Sequence, residues 1–367
     1  MSVASVLVLG GGPDRERQVS LWSAAGVAQA LRESGLTVHE RTIDRVSPAE
    51  LASMPGDVVF PVLHGSYGEG GALQDVLEAS GRAYVGCRPE AARLAMDKVA
   101  TKLAAARFGV PTAPAAVLNP SDDRCPLVFE HALGRGVVLK PIHDGSSVGV
   151  HLVRSPEQWT AALAAVRADI EQHPGRTYMV ESLVCPVPDA PKQAPGIVVG
   201  VADGTASGSA AKPRELTVGV IDTPAGRLAL PVIRISPATE FYDYDAKYLR
   251  DDTRYDPVPA GDPIVTLLQD RALRVAAAVG VRHLCRVDFI GPLGPPEHAQ
   301  LLELNTMPGF TSHSLLPMAA GHAGIPMPSL CRMLVELAQA EFQALMPASA
   351  PVDSPLPATG VLRGANV

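Results

Sequence analysis

Two short segments near residue 300 concentrate side chains that can do chemistry: Arg286-Val287-Asp288 and Glu303-Leu304-Asn305-Thr306. On a β-strand residues i and i+2 share a face, so Arg286 lies beside Asp288 and Glu303 beside Asn305. If the two strands are neighbours, two carboxylates and one amide converge. These are hard oxygen donors, suited to Mg²⁺ bridging nucleotide phosphates. Leu301, Leu302 and Leu304 mark apolar surroundings, where an unpartnered carboxylate is costly. The bland alternative is a polar cluster on a solvated face.

A second candidate is Lys140, which ends the apolar run from Val137 and precedes Asp144-Gly145-Ser146-Ser147-Val148-Gly149. A small-residue loop offers backbone N–H groups and hydroxyls to phosphate oxygens, and a lysine adds a point charge. The pattern is not that of a P-loop, and taken alone a simple hairpin turn is the better explanation. Glu16 follows Gly10-Gly11-Gly12 at the start of a helix, where the dipole favours an ionised carboxylate. Such a charge can hold a substrate ammonium. The glycines do not spell G-x-G-x-x-G, and no acidic residue ends the next strand, which argues against a dinucleotide site. Phe241 to Tyr248 holds four of the chain's sixteen aromatic residues together with Lys247, and reads as a lid that shuts out water.

The elements that must carry these groups are legible as alternating apolar runs. Strands at Val3–Leu9, Leu36–Thr42, Asp57–Leu63 and Tyr84–Gly86, with helices at Leu21–Leu31 and Ala72–Ser80, predict a doubly wound parallel α/β domain over residues 1–86. Residues 87–183 read as a helix over Glu90–Arg107, a hairpin of Val137–Pro141 with Val150–Val153, a helix over Glu157–Ile170 and a strand at Tyr178–Glu181. Residues 184–346 open with a Pro- and Gly-rich segment, 184–214, read as an inserted loop. Strands at Glu215–Asp222, Leu228–Ile235, Cys285–Ile290 and Gln300–Leu304 follow, with helices at Pro263–Val279 and Ser329–Ala344. The Pro/Ala/Gly-rich tail, 347–367, reads as disordered.

Composition sets the class. A chain of 367 residues, 47% hydrophobic and 19% charged, is globular and long enough for more than one core. A net charge of −7 argues against nucleic acid as the main partner. Five scattered cysteines without CxxC spacing suit a reducing cytoplasm. No stretch of about 20 apolar residues occurs, so no membrane partner is expected.

Taken together, the segments resemble the D-alanine–D-alanine ligase family of the ATP-grasp superfamily, over most of residues 1 to about 340. The resemblance is carried by Glu16-Arg17-Gln18-Val19-Ser20, His64-Gly65 through Gly68-Glu69-Gly70-Gly71, Met96-Asp97-Lys98 and Lys140-Pro141 with Gly145–Gly149. It continues through Phe241–Tyr248, Arg286-Val287-Asp288 and Glu303 to Leu315, the last being the most specific. It implies a doubly wound N-terminal domain followed by a two-part ATP-grasp fold, and ligation of two D-alanines through a D-alanyl phosphate for peptidoglycan precursors.

The residue roles it implies are as follows. Lys98 and Lys140 hold the ATP phosphates, Glu181 and Glu215 the adenine and ribose, and Asp288, Glu303 and Asn305 two Mg²⁺ or Mn²⁺ ions. Glu16 takes the ammonium of the first D-alanine, with Ser146 and Tyr248 completing a triad and His64 close by. Arg286 and the Gly309 N–H stabilise the oxyanion, while Lys247, Ser314 and Leu315 take the phosphate or the second carboxylate. The implied partners are ATP and D-alanine, and a homodimer is allowed. Two departures stand out: Ser182 follows Glu181 where the family usually has lysine, and the 184–214 segment comes at once after it. The competing readings are a ligase with D-lactate or D-serine as acceptor, and a non-catalytic nucleotide-binding relative.

Overall fold

The computed structural model describes residues 3–127, 136–145, 148–184, 214–238, 250, 252–291 and 296–345. The first apolar run forms β1 (Ser5–Gly11), two residues further into the glycines than its apolar stretch suggests. There Gly11 has φ +104°, and a Cβ would stand 2.4 Å from the Ile43 carbonyl, so the close approach of the neighbouring strand requires glycine. Next come α1 (Arg17–Glu33), β2 (Thr37–Ile43), α2 (Pro48–Ser53), β3 (Val58–Pro61), α3 (Gly65–Glu69), α4 (Ala72–Ala79) and β4 (Ala83–Tyr84). The strands lie in the order β2-β1-β3-β4, all parallel. β1 and β3 are buried on both faces, as their continuous apolar runs demand.

The expected single helix over 90–107 is two: α5 (Pro89–Met96) and α6 (Lys98–Arg107). Asp97 breaks it. Its backbone is extended, and its side chain accepts from Ala100 N at 2.9 Å, so it caps a new helix instead of continuing the old one. β5 (Ala115–Val117), β6 (Val137–Pro141), β7 (His151–Val153), α7 (Pro156–Gln172) and β8 (Tyr178–Ser182) follow. Their antiparallel sheet has the order β5-β8-β6-β7, with the expected β6–β7 hairpin.

The third sheet uses β9 (Arg214–Thr223), β10 (Gly226–Ala229), β11 (Ile233–Ser236), β12 (Arg254–Pro257), β13 (Leu284–Gly291) and β14 (Gln300–Asn305). Its order is β12-β11-β9-β13-β14, with β10 also paired to β9. The run from 228 to 235 is therefore two strands, parted at Leu230-Pro231-Val232, where a proline has no N–H to give the ladder. α8 (Pro263–Val279) covers this sheet through Leu268, Ala272 and Val275, packed with Val218, Val287 and Phe289. α9 (Leu315–His322) and α10 (Met327–Leu345) complete the described chain. Leu330, Leu334 and Val335 of α10 share one core with Val8, Val27, Leu31 and Phe60, so α10 closes over the parallel sheet of β1 to β4. Residues 185–213 of the expected inserted loop and the whole 347–367 tail lie outside the described residues. Among the described residues no helix is long and apolar enough to cross a membrane.

Candidate functional site

β13 and β14 are antiparallel neighbours, in the register Arg286↔Asn305 and Asp288↔Glu303. The convergence expected from the i, i+2 spacing is present. Asp288 is tied from three sides. Arg286 donates from Nε to Oδ1 at 2.9 Å and from Nη2 to Oδ2 at 2.8 Å. Thr217 donates its hydroxyl to Oδ1 at 2.6 Å, and Asn305 Nδ2 reaches Oδ2 at 3.1 Å. A register shift lies just beyond, because Phe289 pairs with Leu301 and leaves Leu302 without a partner in the ladder. That bulge lets Leu301 and Leu304 both face the core while Glu303 and Asn305 face the site.

Lys98 enters from the first turn of α6. Its Nζ donates to the Asp144 carbonyl and lies 3.9 Å from Glu303 Oε2. Lys98, Asp144, Gly145, Glu303, Asn305 and Glu69 line one cleft, which joins α3, α6, the loop after β6 and β14. Glu16 occupies the N-cap position of α1 close by. A Cβ placed on Gly145 would stand 3.4 Å from its Oε2, so the carboxylate lies against the Gly/Ser loop. Ser146, Lys247 and Tyr248 lie outside the described residues.

Lys140 and Glu181 meet on the neighbouring strands β6 and β8, where Lys140 Nζ pairs with one carboxylate oxygen of Glu181. The other oxygen pairs with Lys102 of α6, a residue that sequence reasoning missed. A signal was available: Lys102 stands four residues after Lys98 on one helix, hence on the same face. Burial pushes the Glu181 carboxyl up, but the two lysines outweigh it and hold the group below its ordinary value. Burial drives Lys102 the other way, below the usual lysine range. Glu215 is on β9 in the other sheet, opposite Ile235 and Ile290.

The residues after β14 fold back onto the elements of the parallel sheet. His64 stands just before α3, at its N-cap position, and is buried, with Nδ1 3.0 Å from the Met307 carbonyl and Nε2 3.5 Å from Ser23 Oγ. Burial lowers its pKa, against the opposing pull of Glu16 and the Met307 bond. Glu69, also missed as a site residue, accepts from Met307 N at 3.2 Å. Burial, helped by the charge of Glu16, pushes its carboxyl up to about 8. Gly309 lies against Ser314, whose Oγ would be 2.7 Å from an added Cβ. Ser314 stands at the N-cap position of α9 with its hydroxyl turned back to accept from Thr311 N at 2.8 Å, while Leu315, the first residue of α9, is buried in the core.

Among the described residues no three His, Cys, Asp or Glu side chains gather as a metal cluster. The donors present are two carboxylates and an amide, all oxygen, with Arg286 and Lys98 adjacent. That set fits a hard divalent ion that also takes ligands from a phosphate chain, and does not fit zinc.

The sequence model described as "D-ala D-ala ligase C-terminus" matches residues 208–336, the stretch that carries both site strands. The D-alanine–D-alanine ligase B of Chromobacterium violaceum is 36% identical over 332 residues, covering 90% of this chain and 96% of that protein. The D-alanine–D-alanine ligase of Rhodospirillum rubrum is 37% identical over 342 residues, 92% of this chain and 98% of its own. Among solved structures, D-alanyl-alanine synthetase A of Vibrio cholerae superposes with a TM-score of 0.71 at 26% identity, covering 93% of this chain and 99% of that one. The Bacillus anthracis D-alanine–D-alanine ligase complexed with ATP shares the fold at a TM-score of 0.70 and 24% identity, covering 94% and 99%. Similarity of this degree, along nearly the whole length of the relatives and through the strands that bear Asp288 and Glu303, means that the chain belongs to the D-alanine–D-alanine ligase family.

Proposed function

We propose that this protein joins two molecules of D-alanine at the expense of ATP, through a D-alanyl phosphate, to supply a peptidoglycan precursor. The single observation that carries the reading is the facing pair Asp288 and Glu303, with Asn305 beside them and Lys98 across the cleft. Making an amide from a carboxylate requires activation. Phosphoryl transfer asks mainly for positioning and neutralised charge, and divalent ions held by Asp288, Glu303 and Asn305 would supply that neutralisation at the phosphates.

ATP lies between the 87–183 and 184–346 units, with Lys98 and Lys140 on its phosphates and Glu181 and Glu215 toward the nucleoside. Glu181 holds Lys140 in place by an ion pair. Glu16 takes the first D-alanine ammonium, with Ser146, Tyr248 and His64 around it. Arg286, aligned by its two bonds to Asp288, faces the oxyanion together with the Gly309 N–H. Lys247, Ser314 and Leu315 receive the phosphate or the second carboxylate, and the 241–248 segment excludes water that would hydrolyse the acyl phosphate. The free thiols of Cys87, Cys125, Cys285 and Cys331 fit work in the cytoplasm.

The test is phosphate release that requires both ATP and D-alanine, with the product identified by chromatography. A competition between equal D-alanine and D-lactate near pH 6 separates the acceptors. Dipeptide is expected as the main product, with rate rising toward alkaline pH as the attacking amine loses its proton. Predominant ester would assign the hydroxy acid instead, and binding of ATP without phosphate release would leave a nucleotide-binding relative.

A further inference from the structure

Ser23 has no place in the chemistry above, yet it is fully buried in α1 with its hydroxyl turned to the loop that carries Gly309. Its Oγ accepts from Phe310 N at 3.1 Å. The same oxygen is 3.5 Å from His64 Nε2, and His64 Nδ1 is 3.0 Å from the Met307 carbonyl. A carbonyl only accepts, so Nδ1 carries the ring proton. The neutral ring then accepts at Nε2, and the serine O–H is the donor. The result is a closed relay: Phe310 N–H to Ser23, Ser23 O–H to His64, His64 N–H to Met307 C=O. It grips the chain on both sides of Gly309, and every link is buried, where an unmade bond is expensive.

We propose that Ser23 is a positioning residue for amide formation: through His64 and Phe310 it sets the 307–310 loop so that the Gly309 N–H meets the developing oxyanion. The inference rests on the ligase reading, and it assigns Ser23 to the second chemical step alone. D-alanyl phosphate still forms when the loop shifts, but attack by the amine slows. The intermediate then waits and is lost to water, which releases phosphate without dipeptide.

The experiment compares phosphate released with dipeptide formed, in wild type and Ser23→Ala. If wild type makes no dipeptide, it is the ligase reading that fails. Given a working wild type with one phosphate per dipeptide, Ser23→Ala is expected to lose about tenfold in dipeptide rate, less than removal of an oxyanion donor. Its KM for ATP should stay within about twofold, and its phosphate-to-dipeptide ratio should rise clearly above one. A ratio of one in folded Ser23→Ala overturns the proposal whether or not the rate falls, because mere loss of folded enzyme leaves the ratio unchanged. Should Ser23→Ala not fold, Ser23→Cys, which keeps the size of the side chain but donates only weakly to His64 Nε2, is read in the same way. The wild type itself gives a third reading: ¹⁵N NMR must find His64 as the Nδ1–H tautomer, and the Nε2–H tautomer overturns the relay.

Discussion

Asp288 and Glu303 stand opposite each other across β13 and β14, and only Asp288 is locked by a two-point bond to Arg286. Asp288 is thereby held by the arginine and, on the proposed reading, would serve the ion as well, while Glu303 has Lys98 at 3.9 Å. Glu303→Gln should lower kcat at least about a hundredfold with no change in melting temperature, since it removes charge from an oxygen ligand without emptying the core. Chelation should stop wild-type turnover, and Mg²⁺ or Mn²⁺ should restore it. Steady-state rates with and without chelator check both statements, and near-normal turnover of Glu303→Gln would refute the metal assignment.

Glu181 between Lys102 and Lys140 makes a stability prediction. Lys102→Met removes one of two partners from a deeply buried carboxylate and should cost about 3 kcal/mol, the lower end for breaking a buried ion pair, because Lys140 remains. Glu181→Gln should cost more, since two buried ammonium groups then face each other. Urea unfolding of both variants gives the order, and the reverse order would contradict this account.

Glu69 supplies a pH dependence. Its carboxyl titrates near 8 in the folded protein against 4.5 as the ordinary value, so the folded state holds the proton more tightly. The stabilisation from this group is fully present below about 4.5 and is lost as pH rises toward 8. In ligand-free protein, the melting temperature of wild type relative to Glu69→Gln should fall steadily across that window. Thermal scans in steps between pH 5 and 8 decide it, and a constant difference would show that Glu69 does not titrate there.

Gly26 lies in the interior of α1, where alanine is ordinarily the better helix former by about 1 kcal/mol. Here a Cβ would stand 2.5 Å from the Phe310 carbonyl oxygen. Gly26→Ala should therefore destabilise by roughly 1–3 kcal/mol and slow turnover by displacing the loop that α1 supports. A stabilised variant in urea unfolding would show that the loop gives way freely.

Much of this was legible in the sequence, for identifiable reasons. Continuous apolar runs gave away β1 and β3 because both faces of a parallel strand are buried, and the two-residue spacing of Arg286 with Asp288 survived into the structure. What escaped depended on local exceptions to a period. Asp97 looks like one more residue of a helix until its side chain caps the next one. Strict alternation from Leu301 would put Glu303 on the core face, and only the bulge at Leu302 turns it to the site. Lys102, Glu69 and Ser23 act through partners 79, 238 and 287 residues away, and only Lys102 carries a local signal, its four-residue spacing from Lys98; no local pattern points to Glu69 or Ser23.

Those sequence separations bear on how the enzyme comes to be active. Met307 and Phe310 are held by His64 and Ser23 across 243 and 287 residues, whereas the hairpins and helices around them close locally. Long-range contacts form late, after the loops they close have been drawn in. On the ribosome the serine and histidine emerge long before the loop they must grasp exists. During refolding, helical signal should thus return ahead of ligase activity, and the lag between them times the moment when the 307–310 loop docks on Ser23 and His64.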